Sequence, residues 1–376
     1  MPNPRRMMMA AAGAGGVSEA GIWSWGTGSR GQRGVGSSTT LCSPAQVESA
    51  DITWTTLPHH GFGKAAGAAI RSDGTLWMWG QGNYHQLGNG SSTSDMSTPI
   101  QVGSRTDWES VSCGDRHTGA ITTAGKLYMW GANSSGALGL NHTSTVSTPV
   151  QVGTATDWKQ VSCGSFFTVA IKDSGTAWAW GTNGQGRLGD GTTTTRSSPV
   201  QVSNGTGFST IAAGRGFVFG IKSGAAWCWG TNLYSCLGLG AGSGYYSTPV
   251  QMGTETDWAD IAPDRVQTFG VKTGGTAWSW GYSTKGSGGR GNTTKVSTPV
   301  QIGALTDWVK ITHTTFKYAA AAIKSDGTIW GWGTKTLNGL DDNSVDTCSP
   351  QQIGTDTTWT DIAECGEGHI ALKTEA

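Results

Sequence analysis

Short stretches in which apolar and polar positions alternate recur along the whole chain, separated by glycine-rich, turn-rich segments. LWMWG, Leu76 to Gly80, shows the pattern: with a side-chain period of two, Trp77 and Trp79 fall on one face of a strand. From Trp108 onward, WESVSCG, TGAIT and KLYMWG read as three successive strands, and a Ser/Thr-Pro segment such as TPIQV reads as the fourth. The link between second and third strands is a tight turn in every case (RSDG, TTAG, KDSG, KTGG, KSDG), the signature of a hairpin. The link after the third strand is long and glycine-rich, as in QGNYHQLGNGSSTSDMS. No apolar run approaches the ~18 residues of a membrane-spanning helix.

The pattern is periodic. Aromatic-x-Trp-Gly occurs seven times, ending at Gly26, Gly80, Gly131, Gly181, Gly230, Gly281 and Gly333, with spacings of 49 to 54 residues. A Ser/Thr-Pro follows each copy, and an aromatic follows each Pro: Trp54, Trp108, Trp158, Phe208, Trp258, Trp308 and Trp359. A four-stranded unit of about 50 residues repeated seven times predicts an all-β chain folded as a seven-bladed β-propeller. The blades span about 54–102, 105–152, 155–202, 205–252, 255–302, 305–353, and, for the split seventh, 356–376 plus 18–47. The C-terminal segment supplies WTDIAECG and HIALKTEA and stops where a turn and a Trp strand are due; SEAGIWSWG, from Ser18, supplies them. Pairing the two closes the ring and removes its open edges. Residues 1–17 then form an N-terminal arm outside the fold.

Composition narrows the chemistry. Charged residues are 13% of the chain and the formal net charge is zero, so the clustered Lys and Arg that nucleic-acid or anionic membrane binding requires are missing. All 19 Trp fall at the two repeat positions, in the Trp-Gly strands and at the start of the first strands, which gives each an architectural role. The seven Cys do not read as a disulfide framework. Cys113, Cys163 and Cys365 share one repeat position before or near Gly, that of a small core residue, while Cys42 and Cys348 share another, where a bridge is the alternative. The His residues show no ligand spacing, so neither a metal nor a cofactor is expected. GSRGQRG at Gly28–Gly34 is followed by no helix to hold a phosphate. No nucleophile, base and orienting group can be grouped from the sequence, and the expectation is a protein that is not an enzyme.

The unit resembles the regulator of chromosome condensation repeat, in GDRHTGAITTAGKLYMWGANSSGALGL (Gly114 to Leu140) and TNGQGRLGDG (Thr182 to Gly191). Trp-Gly, then Gly-x-Leu-Gly, then Ser/Thr-Pro carry the match across residues 18–376, and the pairs that mark WD repeats are absent; the chain looks like a divergent bacterial or phage-like member. The resemblance implies a seven-bladed propeller and a range of activities: guanine-nucleotide exchange on a small GTPase with chromatin binding, ultraviolet-B reception, ligase-associated domains, and secreted inhibitors of β-lactamase. Asp115 and His117 match the exchange factors' acidic and histidine loop pattern. The equivalent loops GSFFT, GRGFV and PDRVQ do not, which ranks exchange behind other roles. Only Arg5 and Arg6 are available to stand in for the founder's basic tail.

What remains is a binding surface. Loops after the first and third strands share one face, and the repeats differ most there. His59, His60, Tyr84, Asp115, Arg116, His117, Phe166, Phe167, Arg215, Phe217, Tyr245, Tyr246, Arg265 and Lys317 are the candidate contact residues, of types enriched at interfaces. For Phe166, Phe167 and Phe217 the alternative is that they fill the mouth of the central channel. The arm MPNPRRMMMAAAGAGG, with Arg5, Arg6, Met7, Met8 and Met9, is a candidate assembly element. The expected role is a bacteriophage virion surface or tail component, made in the host cytoplasm, that binds other virion proteins or a host surface molecule. The alternative is a secreted bacterial binder, for which the arm would be a cleaved leader.

Overall fold

The computed structural model describes residues 21–47, 53–58, 63, 66–90, 93–240, 242–314, 318–341 and 345–374. Within them the chain forms 28 strands in seven antiparallel four-stranded sheets, with no helix. Blades 1 to 6 are continuous in sequence, spanning residues 54–101, 108–151, 158–201, 208–251, 258–301 and 308–352, and in each the strands lie in sequence order. First strands of successive blades touch one another from blade 2 to blade 7, which sets them around the central axis and the Ser/Thr-Pro strands at the rim.

Blade 7 is assembled from both ends of the described chain. Its first two strands are Trp359–Glu364 and Gly368–Lys373; its third and fourth are Gly21–Gly26 and Leu41–Gln46. Gly21–Gly26 pairs with Gly368–Lys373 in unbroken register, from Gly21 opposite Lys373 to Gly26 opposite Gly368. The split blade read from SEAGIWSWG is therefore the ring closure.

The hydrophobic core lies in the seams between blades, in seven separate clusters. Each seam is organised by the second Trp of the Trp-Gly motif. These residues (Trp25, Trp79, Trp130, Trp180, Trp229, Trp280 and Trp332) are fully buried. Six of them donate the indole N–H back to a loop carbonyl of the preceding blade: Trp79 to Gln32 O at 2.9 Å, Trp130 to Gln86 O at 2.9 Å, Trp180 to Ala137 O at 2.8 Å, Trp229 to Arg187 O at 3.1 Å, Trp280 to Cys236 O at 2.8 Å and Trp332 to Ser287 O at 2.8 Å. In four of these seams, from Trp130 to Trp280, the acceptor is the x of Gly-x-Leu-Gly or of its His- and Ser-initiated variants, and the glycine that ends the motif lies beneath the same indole. Gly88, at φ +68°, has no room for a side chain, because an added Cβ would lie 2.7 Å from Trp130 Nε1. The motif glycine after Trp is equally constrained: a Cβ on Gly131, at φ +105°, would meet the Arg116 carbonyl at 2.6 Å. The Trp-Gly and Gly-x-Leu-Gly motifs are thus two halves of one inter-blade contact.

The opposite face, where the tight turns lie, carries a second repeated device. The last residue of the second strand is basic in blades 1 and 3 to 7, and its cation sits over the first Trp of the third strand and, except in blade 4, the Trp that opens the first strand. Arg71 lies 3.5 Å from the Trp77 ring centre, Lys324 4.3 Å from Trp330, and Lys272 4.7 Å from Trp278. Blade 2 has Thr122 in that place, and Arg105 enters from the preceding link to cover Trp108 and Tyr128. Asp or Glu of the link neutralises most of the cations, as Asp157 does for Lys172 and Glu255 with Asp257 for Lys272. Cys113, Cys163 and Cys365 are buried seam residues, but the strand register places Cys365 one position on, where blades 2 and 3 have Gly114 and Gly164; all seven cysteines are unbridged, Cys42 and Cys348 included.

Candidate functional site: the loop face

The face formed by loops after the first and third strands differs from blade to blade. Its best-defined group spans three blades. Arg116, in the first loop of blade 2, lays its guanidinium 4.2 Å from the Tyr84 ring centre of blade 1 and 5.3 Å from Phe166 of blade 3. Arg116 Nε stands 4.0 Å from Asp115 Oδ2, and Ser165 Oγ donates to the same carboxylate at 3.4 Å. Tyr84, Asp115, Arg116 and Phe166 are therefore brought together, with Asp115 buried beneath the half-exposed Arg116.

A second group lies on blades 4 and 5. Tyr234 and Tyr282 are 41% and 37% exposed, with ring centres 6.0 Å apart. Tyr245 and Tyr246 are more peripheral than the loop reading implied: they open the rim strand of blade 4, opposite Thr231 and Gly230, and are 54% and 36% exposed. Arg215 is exposed and Arg265 half-buried, each in the first loop of its blade.

Three of the expected contact residues are buried in the seams. His117, Phe167 and Phe217 open the second strands of blades 2, 3 and 4, opposite Gly131, Gly181 and Gly230. Phe167 and Phe217 pack in the seams and not in the channel mouth. His117 Nε2 lies 2.9 Å from Thr168 Oγ1 of the next blade, and burial pulls its pKa down to about 4, so it is neutral at neutral pH. His59, His60, Lys317 and the arm residues Arg5, Arg6, Met7, Met8 and Met9 lie outside the described residues.

Sequence reading missed a titratable cluster at the channel mouth. His313 ends the first strand of blade 6; its Nδ1 is 3.5 Å from Asp264 Oδ1 of blade 5 and 3.6 Å from Glu364 Oε2 of blade 7, and its Nε2 is 3.1 Å from the Pro263 carbonyl. Burial raises Asp264 to about 7, and burial followed by the His313 charge lowers the neighbouring His369 to about 3. The adjoining cavity, lined by His313, Glu364, Pro263, Cys113 and Lys310 among others, has about 20 Å³ of space, enough for one water. His313 and Glu364 occupy the position held by Cys113, Cys163, Ala213 and Pro263 in other blades, and Asp264 the next, which is Gly114, Gly164 and Gly214 in blades 2 to 4, so the signal was an ionisable residue where the period calls for a small or apolar one.

Residues 16–317 match the RCC1-like domain model. The chain belongs to the RCC1-like domain family. Among relatives of known role, it is 34% identical over 152 residues to the Ultraviolet-B receptor UVR8 of Arabidopsis thaliana, covering 37% of this chain and 33% of that protein. It is 35% identical over 124 residues to human E3 ubiquitin-protein ligase HERC2, covering 31% of this chain and 2% of that one. The matched stretches thus span a third or less of these relatives. In structure, the RCC1-like propeller superposes on Prp20p of Saccharomyces cerevisiae with TM-score 0.81 at 18% identity, covering 96% and 93% of the two chains. Human WBSCR16 gives TM-score 0.81 at 19% identity, covering 94% and 98%. At these identities the superpositions speak to the fold.

Proposed function

We propose that this RCC1-like propeller is a non-enzymatic protein-binding component of a bacteriophage virion, at its surface or tail, where the loop face mediates assembly or attachment to a host surface molecule. The observation that carries the reading is the contrast on that face: Arg116 with Tyr84 and Phe166, the Tyr234–Tyr282 pair and Arg215 stand exposed or half-exposed on loops, and Tyr245 and Tyr246 at the start of a rim strand, over a scaffold that repeats from blade to blade. Aromatic and Arg side chains on rigid loops are the usual anchors of protein interfaces. Binding to proteins accords with relatives: Prp20p is described with binding properties toward Gsp1p and histones. The virion placement is supported by the low charge of the chain and its Gly/Ser/Thr-rich loops. Guanine-nucleotide exchange ranks lower, because Asp115 and His117, the residues that match the exchange pattern, are buried.

Mass spectrometry of purified particles, with a pull-down by the full chain, tests the reading. The protein is expected in stoichiometric amounts in virions, and Tyr245→Ala/Tyr246→Ala or Arg116→Ala is expected to lower partner capture by about tenfold while leaving melting unchanged. Absence from particles, together with export and cleavage before about Val17, would place it instead as a secreted binder.

A further inference from the structure

The first loop of blade 4 lacks a side chain that its neighbours carry. The third residue of this loop is Arg116 in blade 2, Phe166 in blade 3 and Val266 in blade 5, but Gly216 in blade 4. A Cβ built on Gly216 would lie 3.7 Å from both Cζ and Nη2 of Arg187 and 3.2 Å from the Thr231 methyl. The missing side chain therefore leaves a notch walled by Arg187, reaching over from blade 3, and by Thr231.

Two polar atoms on these walls are buried without a hydrogen-bond partner among the described residues: Arg187 Nε and Thr231 Oγ1. The rest of Arg187 is held in place. Its Nη2 donates to Gln185 Oε1 at 2.9 Å, and its guanidinium lies 5.8 Å from the Phe167 ring centre. Beside the notch stands Arg215, exposed, its N–H bonded to the Asp264 carbonyl at 3.2 Å. Among the described residues neither arginine has a carboxylate within 4.0 Å, unlike Arg116 with Asp115 or Arg196 with Asp190. Burial first, and the nearby Arg215 charge second, lower the pKa of Arg187. A partly desolvated guanidinium beside a second cation with no counter-charge is unfavourable until an anion arrives.

We infer that the notch at Gly216, between Arg187, Arg215 and Thr231, is an oxyanion subsite that receives an Asp or Glu side chain of a protein partner. The inference rests on the loop face being the binding face. The Nε–H of Arg187 and the Thr231 hydroxyl are closed over in the described structure, and they become separate donors to the two oxygens of a carboxylate once the half-exposed Arg187 side chain edges aside, with Arg215 supplying the balancing charge. A carboxylate carried on a chain brings neighbouring residues that add contacts to the loop face, which a free phosphate cannot do.

The test is a titration of the full chain with acetyl-triglutamate peptide and, separately, inorganic phosphate at matched ionic strength, following the Arg187 Nε–Hε resonance. Saturable peptide binding that shifts this resonance is expected, weakened about tenfold by Arg215→Gln and by Arg187→Gln. Gly216→Val keeps both charges and fills the notch with the residue of blade 5, and is expected to weaken binding as much. No saturable binding, unchanged binding in Gly216→Val, or phosphate binding as tightly as the peptide each overturns the inference. If Gly216→Val fails to fold, exposed Arg215→Gln decides alone, and unchanged affinity there is equally fatal. Partner capture that survives Arg215→Gln but fails in Tyr245→Ala/Tyr246→Ala removes the subsite and leaves the binding face standing; capture unaffected by either removes the face.

Discussion

The chain runs on from one blade to the next around the ring, and six blades are each one continuous segment, whereas blade 7 is joined from two distant segments. The contrast shows in hydrogen bonding as well as connectivity. Trp79, Trp130, Trp180, Trp229, Trp280 and Trp332 each donate to the blade before, whereas Trp25, in the third strand of the split blade, is fully buried with no acceptor for its indole N–H among the described residues. The loop ahead of it reads TKTLNGL, where the six seams with the bond have GQRG, HQLG, GALG, GRLG, SCLG or GSGG, each with its acceptor as the second residue. Trp25 packs instead on His369, ring centres 5.2 Å apart, next to the Asp264–His313–Glu364 cluster. A repeat protein can thus keep a seam's apolar packing while changing its polar chemistry, and here the change falls where the ring is closed.

The largest expected effect breaks the comparison outright. Removing residues 1–47 deletes two strands of blade 7 and should leave insoluble or unfolded protein; a soluble product that melts cooperatively would refute closure by the split blade. Next, Trp130→Ala should destabilise by about 3–5 kcal/mol in guanidinium unfolding, as loss of a fully buried indole does. Trp→Phe isolates the hydrogen bond. Trp130→Phe leaves the Gln86 carbonyl without its indole donor, and should cost about 1 kcal/mol more than Trp25→Phe, where no such bond exists. Equal losses at the two sites would show that the indole bonds add nothing.

Acid should act on the closing seam through His369. Its pKa is about 3 in the fold against 6.5 ordinarily, so the unfolded chain takes up a proton that the fold refuses. Stability then falls as pH drops from 6.5 toward 3, and His369→Gln should flatten that slope. Asp264 works in the opposite sense: raised from 3.8 to about 7, it favours the fold at low pH and loses that contribution as pH rises through 7. Melting curves from pH 4 to 8, with and without each substitution, separate the two. The smallest effect concerns the cation over the tryptophans. Lys272→Met should cost about 1 kcal/mol and Lys373→Met less, since Lys272 has two carboxylate partners and the shorter ring contacts.

The period of the Trp-Gly motif and the Ser/Thr-Pro segments made the architecture readable, including the closure through SEAGIWSWG, because each blade repeats the same burial problem. The meaning of Gly-x-Leu-Gly was not readable, since its partner indole is some 40 residues away in the next blade and no local rule joins the two. The same reason hid the cations over Trp77, Trp278 and Trp330: Arg71, Lys272 and Lys324 recur at one repeat position, but Lys is ordinarily read as solvent-exposed. On the loop face, Tyr84, Arg116, Arg215 and Phe166 were recognisable by residue type. His117, Phe167 and Phe217 were not separable from them, because one position along the loop decides between the mouth and the seam. Arg187 gains its interest only from Gly216 in another blade, a juxtaposition that propeller closure creates.

The register of the closing strands has a mechanical consequence. Gly21 faces Lys373 at one end of the ladder, so a pull applied to the two ends of the described chain loads the first pair alone and peels the bonds in succession, where strands pulled from opposite ends would resist as a block. A ring tethered through both ends would open like a zip at blade 7 under modest tension, while the same ring compressed or bound on its loop face would stay shut.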